Sequence, residues 1–229
     1  MSKVDPIMTR DIVAIDGPAG AGKSTVARKV ADRLGYAFLD TGAMYRAATW
    51  LALESGVDMN DGDALAAITR SMELDLREED GRQQVMVGGK DISHAIRTPE
   101  VTRQISTLDH NPNVRAHLVA LQQSIGARRP TVAEGRDIGT VVFPHAACKI
   151  YLDASLEERT RRRALEFEKK GIAFDPTKLM EDIRQRDLRD MSRSVGPLRK
   201  ADDAVLVETD GLTPDEVVEL IVRLARDRA

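Results

Sequence analysis

Ile12-Val13-Ala14-Ile15 is an unbroken apolar run that stops at Asp16, and the next eight residues, Gly17-Pro18-Ala19-Gly20-Ala21-Gly22-Lys23-Ser24, match GxxxxGK(S/T). Behind the match, Val26, Ala27, Val30, Ala31 and Leu34 recur at helical spacing, and Gly35 follows as a C-cap. An apolar run of this kind reads as a parallel strand covered on both faces. Strand, glycine-rich turn and helix in that order commit the chain to an α/β fold with a phosphate-binding loop. The glycines let successive backbone N–H groups turn inward around phosphate oxygens, and the helix N-terminus adds partial positive charge. Lys23 can reach the β and γ phosphates of a nucleoside triphosphate, and the Ser24 hydroxyl can ligate Mg²⁺. The expected triphosphate site is therefore Gly17, Pro18, Ala19, Gly20, Ala21, Gly22, Lys23, Ser24 and Thr25. A glycine-rich turn with a chance lysine is the bland alternative, and the flanking strand and helix weigh against it.

Ala37-Phe38-Leu39 predicts a second strand, after which Thr41 caps a helix carrying Met44, Tyr45, Ala48, Leu51 and Ala52 to about Glu54. From about residue 63 to 107 the texture changes. Met72, Leu74 and Leu76 alternate with Glu73, Asp75 and Arg77, and Gln84-Val85-Met86-Val87 follows across a turn at Glu79-Asp80-Gly81. This predicts an antiparallel insertion, standing apart from a doubly covered sheet. Helical spacing returns around residues 99–108 and 113–125. Thr131-Val132-Ala133, Cys148-Lys149-Ile150-Tyr151-Leu152 and Ala204-Val205-Leu206-Val207 predict three more strands. The sum is a single P-loop NTPase domain over residues 1–229, a five-stranded parallel sheet flanked by helices. Two arginine-dense stretches, residues 157–170 and 181–199, are separated by Gly171 and Asp175-Pro176. They predict a mobile helical hairpin, with a short lid at about 155–176.

A formal net charge of −3 supplies no global field to recruit nucleic acid or an anionic membrane surface. No apolar stretch approaches the roughly 20 residues that span a bilayer. The single cysteine, Cys148, cannot close an intramolecular disulfide, and no signal-like segment precedes the first strand. These features predict a cytoplasmic protein with no nucleic-acid or membrane partner.

A P-loop leaves GTPases, motor ATPases and several kinase classes open. No NKxD segment is present to read guanine. Arginine instead recurs beside carboxylates or small polar residues, in residues 41–46, in Glu134-Gly135-Arg136-Asp137 and in residues 186–193. Such clusters suit a second anionic substrate, because bringing a nucleoside monophosphate against a γ-phosphate opposes like charges that guanidinium groups and Mg²⁺ can offset. A phosphate acceptor needs no general base, since its second pKa is about 6. The lack of an evident catalytic histidine is therefore no objection. His94, His110, His117 and His145 show no metal-ligand spacing and read as surface or packing residues.

The motifs Asp16-Gly17-Pro18 through Lys23-Ser24, Leu39-Asp40-Thr41-Gly42-Ala43-Met44-Tyr45-Arg46, Gly135-Arg136-Asp137-Ile138-Gly139-Thr140-Val141-Val142-Phe143-Pro144, and Arg186-Asp187 to Pro197-Leu198 closely resemble bacterial cytidylate kinases, along nearly the whole chain. That resemblance implies transfer of the γ-phosphoryl of ATP, as Mg-ATP, to CMP or dCMP. The insertion would be the monophosphate-binding part. Arg46, Arg136 and Arg193 would clamp the CMP phosphate, with Tyr45 and Thr41 nearby. Ser106, Arg115 and Asp137 would read cytosine, the carboxylate accepting from the N4 amine. Arg186 and Asp190 would contact the sugar. Arg159, Arg162 and Arg163 would be lid residues over the transferred group, so that Lys23, Arg136, Arg159, Arg163 and Arg193 form the expected catalytic set. Glu134 stands where many members of the family carry aspartate, and it is left outside that set.

Blander readings stay open for several residues. The run Arg161-Arg162-Arg163 can be a solvated helix face, Asp137 can simply pair with Arg136, and Tyr45 can be core. Cys148 reads as an inert buried thiol. ATP and CMP or dCMP are the expected small-molecule partners of a monomer. A UMP-preferring kinase and a non-catalytic ATP-binding regulator are the alternatives.

Overall fold

The computed structural model describes residues 11–79 and 82–228. The polar leader before the first strand and the turn residues Asp80 and Gly81 lie outside the described residues. The backbone divides into two compact units, one made of the residues up to Leu39 together with those from Ile125 onward, the other Asp40–Ser124.

The first unit is built on a five-stranded sheet whose strands lie in the order Ala37–Asp40, Thr131–Gly135, Ile12–Asp16, Cys148–Asp153, Val205–Glu208. Its strands are β1 (Ile12–Asp16), β2 (Ala37–Asp40), β6 (Thr131–Gly135), β7 (Cys148–Asp153) and β8 (Val205–Glu208). β1 runs parallel to β6 and to β7, and β7 parallel to β8. Every residue of β1 is buried, as its unbroken apolar pattern requires. Val13, Ile15, Val132, Ile150 and Leu152 pack against Val26 and Val30 of α1 (Lys23–Leu34) and against Val218, Ile221 and Val222 of α8 (Pro214–Arg226). Fully burying each such side chain is worth about 1.5–3 kcal/mol. α8 opens with a reciprocal capping box between Thr213 and Glu216. The arginine-dense stretches form α6 (Leu156–Lys169) and α7 (Pro176–Ser192), which pack on each other.

Cys148 lies inside this core, and burial pushes its thiol up to about 11. The native protein is expected to leave DTNB unreacted at pH 8, with one thiol titrating after unfolding in guanidinium; rapid reaction of the native protein would contradict the buried placement.

The second unit holds α2 (Thr41–Glu54), α3 (Gly62–Arg70), β3 (Leu74–Glu79), β4 (Arg82–Val87), β5 (Lys90–Asp91), α4 (Pro99–Asp109) and most of α5 (Pro112–Gly126). β3, β4 and β5 form a separate antiparallel sheet, as the alternation predicts. Ala47, Ala48, Leu65, Val85, Ile96, Leu108 and Leu118 share one core.

Two local expectations change. Asp40, not Thr41, caps α2: its carboxylate accepts from Ala43 N at 2.8 Å, and Thr41 is already helical. The stretch after residue 63 is also not all strand, because Asp61 caps the short helix α3, which buries Leu65, Ala66 and Thr69. Its nine residues are too few for the apolar period to stand out in sequence. No helix among the described residues is long and apolar enough to cross a membrane.

Candidate active site

Between β1 and α1 the chain turns through residues 17–22. Gly17 sits at φ 151°, and a Cβ there would lie 2.0 Å from the Leu152 carbonyl oxygen, so β7 approaches too closely for any side chain. Gly22 caps α1 in the left-handed region, at φ 92°. Lys23 is buried and donates from Nζ to the Pro18 carbonyl at 2.7 Å, folding back over its own loop. Burial pushes its pKa down to about 7, with repulsion from Arg136 and Arg186 adding to the effect and Glu134 and Asp190 opposing it. A triphosphate entering the loop carries the counter-charge that this ammonium needs.

Ser24 Oγ donates to Glu134 Oε1 at 2.5 Å. Glu134 is buried near the end of β6, in register with Ile15. The carboxylate that sequence reasoning set aside thus stands beside the P-loop hydroxyl. One hydroxyl and one carboxylate fit Mg²⁺, which prefers hard oxygen donors and fills its other positions with phosphate oxygens and water.

Around the loop's outer side, α6 supplies two arginines. Arg159 donates from Nε to Ala154 O at 2.9 Å and from Nη1 to Ala19 O at 3.2 Å, and it pairs through Nη1 with Asp187 Oδ2. Asp187 Oδ1 in turn accepts from Ala19 N at 3.4 Å, so this pair engages both polar groups of one P-loop residue. Arg162 donates to Ala21 O at 3.2 Å and to both the hydroxyl and the carbonyl of Thr209 at 3.0 Å. Arg163 turns elsewhere, to Glu166 at 2.6 Å and over the Phe167 ring at 4.7 Å. Arg161 pairs with Glu158 on the exposed face, as the solvated reading has it. Arg162 Nε also donates to Glu158, at 2.8 Å, so Arg161 and Arg162 share one carboxylate while only Arg162 reaches the loop.

A second cluster in the same unit centres on Asp190, whose side chain is 4% exposed. Its Oδ2 accepts from Arg136 Nε at 2.7 Å, and its Oδ1 from Arg193 Nη2. Burial opposes ionisation of Asp190, but the two guanidinium groups outweigh it and hold the carboxyl below its usual range. The same balance applies in reverse to Arg136: burial works against its charge, and Asp190 more than offsets this. Arg186 is half-buried on α7, close enough to Lys23 to repel its charge. Asp137 is buried at the start of a π-helical turn, Ile138–Val142. Asp16, which ends β1, accepts from Ile138 N and Gly139 N, each at 2.7 Å.

The remaining expected residues belong to the second unit. Thr41 is buried in the first turn of α2, and Arg46 Nη1 would lie 3.3 Å from a Cβ on Gly42. Tyr45 packs in that unit's apolar core, and the Arg115 guanidinium lies 5.7 Å from its ring centroid. Arg115 is 2% exposed. Ser106 is half-buried on α4, where its carbonyl and the Asp109 carboxylate both receive His110 Nδ1, at 2.6 and 2.8 Å. Two acceptors on that nitrogen mean that it carries the proton.

Sequence reasoning gave Asp16 and Asp187 no role in the site and set Glu134 aside. Asp16 had a local signal, since a carboxylate ending a fully apolar strand has to be satisfied by something. Asp187 had none, because its partners lie 28 and 168 residues away.

A central parallel strand that feeds a glycine loop, a buried lysine and a hydroxyl beside a carboxylate defines a P-loop protein of the kind that holds a nucleoside triphosphate. The family model described as Cytidylate kinase matches residues 13–227, and the chain belongs to that family. It is 50% identical over 225 residues to the bifunctional pantoate ligase/cytidylate kinase of Synechococcus sp. strain CC9902, covering 97% of this chain and 47% of that protein. It is 52% identical over 216 residues to the protein of the same name in Synechocystis sp. strain PCC 6803, covering 93% and 42%. The chain thus spans less than half the length of these relatives. A solved structure of an uncharacterised protein from Eubacterium ventriosum shares the fold at TM-score 0.50 and 13% identity, covering 95% of this chain and 98% of that one.

Proposed function

We propose that this chain transfers the γ-phosphoryl group of ATP to CMP or dCMP, giving ADP and CDP or dCDP by direct in-line displacement. The observation that carries the reading is the Arg136–Asp190–Arg193 cluster, which keeps two guanidinium groups charged and oriented in the unit that holds the P-loop. A buried carboxylate shared by both arginines holds their guanidinium groups side by side, an arrangement suited to a dianionic acceptor. Residues 17–25 cradle the ATP phosphates. Arg46 joins Arg136 and Arg193 on the CMP phosphate, with Thr41 and Tyr45 alongside. Ser106, Arg115 and Asp137 read the base, and Arg186 and Asp190 lie toward the sugar. Arg159 and Arg163 act with Lys23 on the transferred group.

The attacking oxygen belongs to a phosphate already ionised near pH 7, so no side chain has to remove a proton. Ser24, backed by Glu134, would hold Mg²⁺, and the ion would supply charge neutralisation for the transferred group. A cytoplasmic monomer goes with this reading.

ADP release with CMP, dCMP, UMP and AMP in turn is the direct test. CMP or dCMP should give the highest kcat/KM; a higher value for UMP makes the enzyme a uridylate kinase, while turnover on AMP equal to that on CMP, or none on any acceptor, removes the proposal. Asp137→Ala should lower kcat/KM for CMP by about 10- to 100-fold, the worth of one well-placed base contact, with the Kd for ATP changed less than about threefold. Unchanged CMP kinetics would place base recognition elsewhere.

A further inference from the structure

Asp137 occupies the N-cap position of the turn Ile138–Val142, and its carboxylate makes no capping hydrogen bond to that turn. Aspartate is among the best residues for this task, because the first N–H groups of a helical turn have no partner within it. Here the turn's own carbonyl bonds start later, at Val141 N and Val142 N to Asp137 O, 2.8 and 3.2 Å. The first two amides, Ile138 N and Gly139 N, go instead to the two carboxylate oxygens of Asp16, each at 2.7 Å, from a residue 122 positions earlier in the chain. Asp16 is 3% exposed. Gly139 is shaped to the contact, since a Cβ there would sit 3.3 Å from Asp16 Oδ2 and 3.2 Å from Lys149 Cδ.

We propose that Asp16 is a positioning residue for acceptor recognition: by capping the 138–142 turn in place of Asp137, it directs the Asp137 carboxylate to the acceptor base instead of its own backbone. The inference rests on the reading above, in which Asp137 recognises cytosine. It also joins the two halves of the reaction. Asp16 is the residue before Gly17, so one side chain connects the strand that launches the P-loop to the segment carrying Arg136 and Asp137. Burying a carboxylate is costly, and two short bonds from backbone N–H groups offset that cost. Burial nonetheless pushes Asp16 up to about 7, the two amides opposing the shift, Asp137 adding to it and Lys23 opposing it.

Two variants test the proposal. Asp16→Asn keeps one acceptor but turns an NH₂ group toward a backbone N–H, so one bond is lost and Asp137 can swing back to cap its own turn. Gly139→Ala presses on the same contact with no change of charge, which separates capping from the loss of a negative group near Lys23. In both, hydrogen exchange at the amides of Ile138 and Gly139 should accelerate at least about tenfold, as for any buried bond that opens locally. The ratio of kcat/KM for CMP to that for UMP should fall at least about tenfold, with the Kd for Mg-ATP within about threefold of the parent. A merely structural role would lower stability and all activities together and leave the CMP to UMP ratio unmoved, and that result overturns the proposal. Unchanged amide exchange overturns it as well. Failure of the parent protein to phosphorylate CMP would count against the function itself, whereas an active parent with unaltered variants counts against Asp16 alone. If Asp16→Asn does not fold, Gly139→Ala is judged by the same two readouts.

Discussion

Lys23→Ala is expected to lower kcat for phosphoryl transfer about 10³-fold, the scale seen when one preorganised donor to a developing anion is removed. Lys23 Nζ donates to Pro18 O at 2.7 Å, and burial already opposes its charge. Its removal therefore takes little from the resting fold. A desolvated ammonium is lost along with a hydrogen bond, and α1 keeps its apolar contacts through Val26, Ala27 and Val30. The expected pattern is a large loss of turnover with a Tm within a few degrees of the parent, about the shift given by 1 kcal/mol in a protein of this size. Near-parental kcat would show that the loop binds nucleotide without acting on it.

Asp190→Ala should do the opposite, damaging stability and activity together. It strands the Arg136 and Arg193 side chains, 17% and 9% exposed, beside each other with no shared counter-ion. Breaking a buried pair from one side costs about 3–5 kcal/mol. The Tm should fall by roughly 10 °C, and kcat/KM for CMP should drop at least about 100-fold as the two guanidinium groups move apart. A residue that touches only the substrate's sugar would raise KM for CMP and leave the Tm unchanged, so urea or thermal unfolding of the unliganded variant separates the two roles. The pH dependence carries the same information. The folded protein holds Asp190 below its ordinary value of 3.8, so its contribution is present above that pH and is lost as pH falls through the lower folded value. The alanine variant should lack that part of the acid unfolding limb.

Much of the architecture could be read from local pattern. β1, the glycine loop and α1 obey backbone rules that operate within about 25 residues, and the strands at 131 and 148 are apolar runs whose composition tells of burial on both faces, whereas the edge strand at 205 buries only Val207 and leaves Leu206 48% exposed. The hairpin was legible because Leu74 and Leu76 alternate with charges. Short helix α3 and the capping by Asp40 were not, since nine residues hold too little period and Asp40 and Thr41 are equally good caps on paper.

In the site, residue types were legible and pairings were not. The run from Arg161 to Arg163 looks uniform, yet Arg161 and Arg162 share Glu158, only Arg162 goes on to reach the P-loop and Thr209, and Arg163 lies over Phe167. Asp187 and Asp190 sit three residues apart on one helix, and each has become the anchor of a different arginine set. Helix phase brings the two to one side of α7, but which guanidinium arrives depends on α6 and on the segment after β6.

By itself, the sequence determined the loop for a triphosphate, the parallel sheet beneath it and the presence of an arginine-rich complement, because glycine turns, apolar period and residue charge are properties of short segments. Tertiary structure alone decided that Asp16 caps the turn after Asp137, that Glu134 meets Ser24 and that Asp190 orients Arg136 and Arg193. The worth of a carboxylate is set by its burial and by the direction of its donors, and here those donors come from residues 54 to 123 positions away for all but Arg193.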